Sequence, residues 1–129
     1  MEKQKILVVD DDPELLEILS ESLRTAGFNV LSVNDTNEAL EAISTGLQLD
    51  LVVCDKNAPA LDAGLELLHQ IQELKYGVKF ILMSGDPDVT RRFEDPAALG
   101  LDGYFNKPPA TSLKNIIVLI KQVLAAEIT

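Results

Sequence analysis

Apolar residues along this chain follow two alternating rhythms. Short, nearly unbroken runs at Ile6-Leu7-Val8-Val9, Asn29-Val30-Leu31-Ser32-Val33, Leu51-Val52-Val53-Cys54 and Phe80-Ile81-Leu82-Met83 predict strands, and Gly103-Tyr104-Phe105 predicts a weaker fifth. The continuous aliphatic character of the first, third and fourth runs suits strands covered on both faces, as in a parallel sheet. Between the runs, apolar residues recur at helical spacing. Leu15, Leu16, Leu19 and Leu23 form one stripe, with Asp12 as the expected N-cap, Pro13 at the first helical position and Gly27 as terminator. A second helix is expected from near Asp35, with Glu38 at capping-box spacing, to Gly46. A third carries Leu65, Leu68, Ile71 and Leu74 and stops before Gly77. The last carries Leu113, Ile116, Ile117, Ile120, Val123 and Leu124, a wide face that calls for burial. The segment after the fourth strand is the irregular one: Pro87 can start a helix there, and Pro96 breaks it about two turns later. The pattern is (βα)5, and right-handed crossovers wind such a chain into a doubly wound α/β sandwich of three layers around a parallel five-stranded sheet.

Composition narrows the picture. A chain of 129 residues, 47% of them apolar, holds one core, so residues 1–129 are expected to form a single domain. The formal net charge of −10 repels phosphate backbones and anionic lipid, which argues against direct nucleic-acid or membrane binding. The lone Cys54 lies in an apolar run, where it reads as a small buried hydrophobe and fits a reducing compartment. The four apolar residues before the first acidic cluster are too few for a signal peptide, and no run approaches a membrane span. A soluble, cytoplasmic protein is the expectation.

The chemistry collects where a parallel sheet places it, beyond the carboxyl ends of the strands. There the sequence puts Asp10, Asp11 and Asp12, then Asp55, Ser84 and Lys107. Asp12 is accounted for as a helix cap; the others lie where core packing asks for nothing polar. Carboxylates packed together repel unless a cation neutralises them, and Mg²⁺ (or Mn²⁺) with oxygen ligands suits such a set. A carboxylate beside that ion can attack a phosphoryl group, and Asp55 is the central one. Lys107 would neutralise charge on the transferring oxygens and Ser84 would donate a hydrogen bond to them. His69, on the polar side of the third helix, reads as a surface residue.

The segments ILVVDDD, LVVCDKNAP, GLELL, FILMSGD and GYFNKPP, spread over nearly the whole chain, resemble the receiver domain of bacterial two-component response regulators. The resemblance implies strand order 2-1-3-4-5 and a phosphoacceptor at Asp55. It gives Asp10 and Asp11 as the acidic metal pair, Asn57 as the residue whose backbone carbonyl completes the metal shell, and Ser84 and Tyr104 as the hydroxyl and aromatic of the conformational switch. Lys107 matches the phosphate-facing lysine, and the following bond to Pro108 is one the family usually holds cis. The implied donor is a phosphohistidine on a sensor histidine kinase or histidine phosphotransfer protein. The implied output is a further domain or a downstream protein, with weak self-association left open. Such a domain is no enzyme beyond catalysing its own phosphorylation and dephosphorylation.

Two departures stand out. Asp62-Ala63-Gly64 carries one residue more than the family's D-G, beside the metal site, and Pro96 interrupts the helix through which the family signals. Two rivals follow. A small-molecule phosphohydrolase of the aspartyl-phosphate type would normally need a second Asp at position 57, which is Asn here, and a cap domain. A receiver-like module acting by binding alone is the reading that Pro96 suggests.

Overall fold

The computed structural model describes residues 3–58, 62–74, 76–85 and 100–126. Five strands, β1 (Lys5–Val9), β2 (Asn29–Val33), β3 (Leu51–Asp55), β4 (Lys79–Ser84) and β5 (Gly103–Asn106), alternate with α1 (Pro13–Thr25), α2 (Thr36–Ser44), α3 (Ala63–Glu73) and α4 (Leu113–Ala125). All strand pairs are parallel, in the order β2-β1-β3-β4-β5. This is the expected doubly wound α/β sheet. The expected helix beginning at Pro87, with its break at Pro96, lies outside the described residues.

Period-two alternation sends successive side chains to opposite faces, and each face has its own helices. Leu7, Val9, Val52, Cys54, Phe80 and Leu82 pack with Ala39 and Ile43 of α2 and with Leu67, Leu68 and Ile71 of α3. Ile6, Val8, Leu51, Val53, Ile81 and Met83 pack with Leu16, Leu19 and Leu23 of α1 and with Ile116, Ile120 and Val123 of α4. The three central strands are buried on both sides, which is why their sequences are apolar throughout. The edge strand β2 is covered less, and Leu31 remains 40% exposed.

Helix boundaries follow the capping chemistry. Asp12 accepts from the N–H groups of Glu14 and Leu15 at 3.1 and 3.4 Å, Pro13 opens α1, and Gly27 follows the helix at φ +102°. Asp35 accepts from the Glu38 N–H at 2.9 Å, and Glu38 reaches back to the N–H of Asn34 at 2.9 Å, one residue beyond the N-cap N–H that a regular capping box would bind.

The α3 stripe needs correction. Its buried positions are Ala63, Gly64, Leu67, Leu68 and Ile71, with Leu65 only partly buried, and Leu74 lies past the helix at 58% exposure. A row read strictly every three residues drifts around a helix of 3.6 residues per turn. Leu65 and Leu74 therefore cannot share a face, whereas positions 64, 67, 68 and 71 do. On α4, Ile116, Ile120 and Val123 are buried, while Leu113, Ile117 and Leu124 are only partly covered, so the expected wide face is buried along its centre alone.

At the opposite end of the sheet from the predicted chemistry, Lys79 opens β4. Its Nζ donates to the carbonyls of Val123 and Ala126 at 2.5 and 2.6 Å. Both carbonyls lie at the end of the helix, where i+4 partners run out, so Lys79 caps α4 from the sheet.

Candidate functional site

Three of the predicted acids meet at the carboxyl edge of the sheet. Asp10 follows β1 and Asp55 ends β3, and because these strands are neighbours, the side chains arrive side by side. One carboxylate oxygen each from Asp10, Asp11 and Asp55 lies within 4.8 Å of the others. Asp10 is fully buried, Asp55 nearly so, and Asp11 exposed.

Fixed donors aim the two buried carboxylates. The Asp12 N–H donates to Asp10 Oδ1 at 2.9 Å, and the Asn57 N–H donates to Asp55 Oδ1 at 3.0 Å. Lys107 Nζ bridges them, 2.8 Å from Asp55 Oδ2 and 3.1 Å from Asp10 Oδ1. Lys107 reaches this point because its backbone N–H extends the sheet ladder to the Ser84 carbonyl at 2.8 Å.

Burial pushes the Asp10 carboxyl above its ordinary value of 3.8; the Asp12 N–H and Lys107 pull it back, and Asp55 adds to the rise. For Lys107, burial pulls the ammonium down, but hydrogen bonds to Asp55 and Asp10 outweigh it and the net shift is upward. The lysine is therefore charged at neutral pH. Cys54, below this site, is pushed upward chiefly by burial and then by Asp55 and Asp10, which keeps it an unreactive thiol.

These residues fit a hard divalent cation. The donors are all carboxylate oxygens, one of them exposed enough to leave room for water, and Lys107, paired with Asp10 and Asp55, brings a single positive charge to a cluster of three carboxylates. Asp10 Oδ2 is buried and makes no hydrogen bond, although Lys107 Nζ lies 3.0 Å away as an ion pair.

A stability prediction follows from Asp10. Its folded-state pKa is raised, so the folded protein holds this proton more tightly than the unfolded chain. Ionised Asp10 therefore costs stability, and the cost grows as pH rises from about 3.8 through the raised folded value. In EDTA at neutral pH, Asp10→Asn should raise the unfolding temperature by about 4 °C, corresponding to about 1 kcal/mol. With Mg²⁺ added, the wild-type midpoint should rise and that of Asp10→Asn should not. Thermal unfolding followed by circular dichroism checks both effects, and a drop in the metal-free midpoint would contradict the electrostatic argument.

Ser84 and Tyr104 lie on the neighbouring strands β4 and β5. Ser84 is the buried last residue of β4, and its neighbour Met83 is in register with Asp55. Tyr104 is half-buried in β5 and packs against the core cluster on the α2/α3 side, away from the carboxylates. His69 is exposed on α3, as expected. The cis bond joins Pro108 to Pro109, one bond later than the family resemblance implied. Two consecutive prolines offer two X-Pro bonds, and sequence does not distinguish them.

Sequence reasoning missed Lys56 and the side chain of Asn57. Lys56 is buried, with its Nζ 3.1 Å from Asp62 Oδ1, and Asn57 Oδ1 accepts from the Asp62 N–H at 2.9 Å. The signal available was alternation: position 56 continues the inward-facing series of Val52 and Cys54, so a lysine there needs a partner.

Together, fold and site define a doubly wound α/β domain with an acidic, cation-ready pocket at the point where strand order reverses. A family model described as "Response regulator receiver domain" matches residues 6–118, and the chain belongs to that family. Among curated relatives, it is 31% identical to the probable transcriptional regulatory protein TcrX of Mycobacterium tuberculosis, over 92% of this chain and 49% of that protein. It is 32% identical to the alkaline phosphatase synthesis transcriptional regulatory protein PhoP of Bacillus subtilis, over 81% of this chain and 42% of that protein. The chain thus spans about half the length of these relatives. Among solved structures, response regulator TrrA of Thermotoga maritima, in complex with Mg²⁺ and BeF, superposes with a TM-score of 0.77 at 28% identity, covering 93% of this chain and 98% of that one. The receiver domain of a Francisella response regulator gives a TM-score of 0.82 at 26% identity, covering 95% and 97% of the respective chains. No helix among the described residues is long and apolar enough to cross a membrane.

Proposed function

We propose that residues 1–129 form one receiver domain that takes a phosphoryl group onto Asp55 from a phosphohistidine of a sensor kinase or phosphotransfer protein. The observation that carries this reading is Lys107 Nζ held 2.8 Å from Asp55 Oδ2 and 3.1 Å from Asp10 Oδ1, a cation beside a nucleophilic carboxylate and its acidic neighbour. Asp10, Asp11, Asp55 and the Asn57 carbonyl would hold Mg²⁺, which when bound supplies positive charge for the phosphoryl oxygens.

In the transfer, an Asp55 oxygen forms a bond to phosphorus as the bond to the donor imidazole nitrogen breaks, and the imidazole leaves with the electron pair. The Asn57 N–H fixes the other Asp55 oxygen and so orients the attack. Lys107 can leave its contact with Asp55 for the arriving phosphoryl oxygens while still facing Asp10. Ser84, at the edge, would donate to the phosphoryl group. Tyr104 lies on the neighbouring strand, in register with Leu82, and would report Ser84's position outward by a shift between existing conformations.

The relatives named as transcriptional regulators extend well beyond the matched region, so the output would lie in an attached domain or a downstream partner. With a net charge of −10, this domain itself is a poor nucleic-acid ligand. The phosphohydrolase reading is not favoured, because the Asn57 side chain is an amide turned to the Asp62 N–H and not an acid facing the pocket.

The test is incubation with acetyl phosphate. Intact mass should show a single phosphoryl adduct that requires Mg²⁺, is lost in EDTA and is released by hydroxylamine, as an acyl phosphate is. Absence of an adduct at saturating Mg²⁺ would sink the proposal.

A further inference from the structure

Lys56 directly follows the acceptor position, and only 2% of its side chain is exposed. A charge that deep is costly unless paired, and its Nζ lies 3.1 Å from Asp62 Oδ1. Asp62 occupies the N-cap position of α3 but accepts no capping hydrogen bond, and its backbone sits in the left-handed region at φ 61°. An Asp at a helix start ordinarily caps it; this one is turned to the lysine instead.

The pair belongs to a closed circuit that ends on the acceptor. The Asn57 N–H donates to Asp55 Oδ1 at 3.0 Å, and the Asp62 N–H donates to Asn57 Oδ1 at 2.9 Å. Asp62 meets Lys56, which is peptide-bonded to Asp55, and the Gly64 N–H donates to the Lys56 carbonyl at 2.8 Å. The circuit spans the place where the chain carries its additional residue, Ala63. A longer connection has more conformations to lose, and the ion pair ties its far end back to the strand.

We infer that Lys56 and Asp62 are positioning residues for the cation site, their ion pair clamping the loop so that Asn57 and Asp55 Oδ1 stay aimed. This rests on the roles proposed above for Asp55 and Asn57. Neither Lys56 nor Asp62 touches cation or phosphoryl group; both act through Asn57. A pair that serves stability alone could be exchanged for apolar residues of similar volume without consequence for the site.

The test measures Mg²⁺ affinity by titration calorimetry for wild type, Asp62→Asn, Lys56→Met and the double variant Lys56→Met/Asp62→Leu. Each variant should bind Mg²⁺ about tenfold more weakly, the scale on which groups that orient metal ligands act. All should still label at Asp55 under saturating Mg²⁺. The double variant should regain thermal stability without regaining affinity. In metal-free Asp62→Asn, which alters a half-exposed side chain and keeps its size, the Asn57 and Asp62 amides should exchange faster than in wild type. Affinities within about twofold of wild type in the single variants, or affinity returning with stability in the double variant, would overturn the clamp. If wild type binds Mg²⁺ and the variants weaken it, yet Asp55 never labels, the clamp stands and the acceptor assignment falls. If wild type binds no Mg²⁺, both fall.

Discussion

Replacing Asp55 by Asn is expected to abolish phosphoryl labelling from acetyl phosphate while leaving the fold intact. The change conserves volume at a nearly buried position, and the amide oxygen can still accept the Asn57 N–H that now donates to Asp55 Oδ1 at 3.0 Å. What it removes is the proposed nucleophile: a neutral carboxamide does not form an acyl phosphate. The other two acids are poorly placed to substitute. Asp10 is fully buried and held by the Asp12 N–H and Lys107, and Asp11 is exposed. Intact mass after incubation with Mg²⁺ and acetyl phosphate decides the matter. An Asp55→Asn protein that labels as fast as wild type would move the acceptor to Asp10 or Asp11.

A large structural effect is expected from one methyl group at Gly64. A Cβ there would lie 2.5 Å from the Asp55 carbonyl oxygen, 3.0 Å from Lys56 Cα and 3.1 Å from Leu82 Cδ1. Two of these are backbone atoms of the central strand or its extension, paired on one side to β1 and on the other to β4, so they cannot give way. The helix must move instead, and it would break the Gly64 N–H bond to the Lys56 carbonyl. Gly64→Ala should therefore destabilise the domain by about 3 kcal/mol, near the upper end for overpacking. That corresponds to roughly 12 °C in the unfolding midpoint of a domain this size. Denaturant unfolding of the two proteins measures it, and a loss below about 1 kcal/mol would mean that α3 can slide outward freely.

How much of this was legible in the sequence depended on the range of the cause. The three central strands announced themselves because burial on both faces leaves no polar alternation. Asp12 with Pro13, and Asp35 with Glu38, marked helix starts through contacts only a few residues long. The candidate site was readable for a different reason: topology delivers strand ends to one edge, so Asp10, Asp55, Ser84 and Lys107 could be grouped without any distance being known. Three features were not readable. Leu74 fell out of the α3 stripe because an every-third-residue row rotates off the face. The cis bond could not be assigned between adjacent prolines. The Lys56–Asp62 pair depends on how a loop with an extra residue folds back, and no local pattern encodes that path. The interruption at Pro96 stays a sequence observation, since it lies outside the described residues.

Lys79 ties the last turn of α4 to the foot of β4, whose other end is Ser84. The strand is six residues long and buried from Phe80 onward, so roughly 17 Å of hydrogen-bonded backbone joins the two ends. Such a strand acts as a strut: it resists stretching, and it holds Ala126 at a fixed distance and bearing from the acidic pocket. Two hydrogen bonds from a single ammonium thus fasten the close of α4 to the end of β4 that lies opposite the acidic cluster.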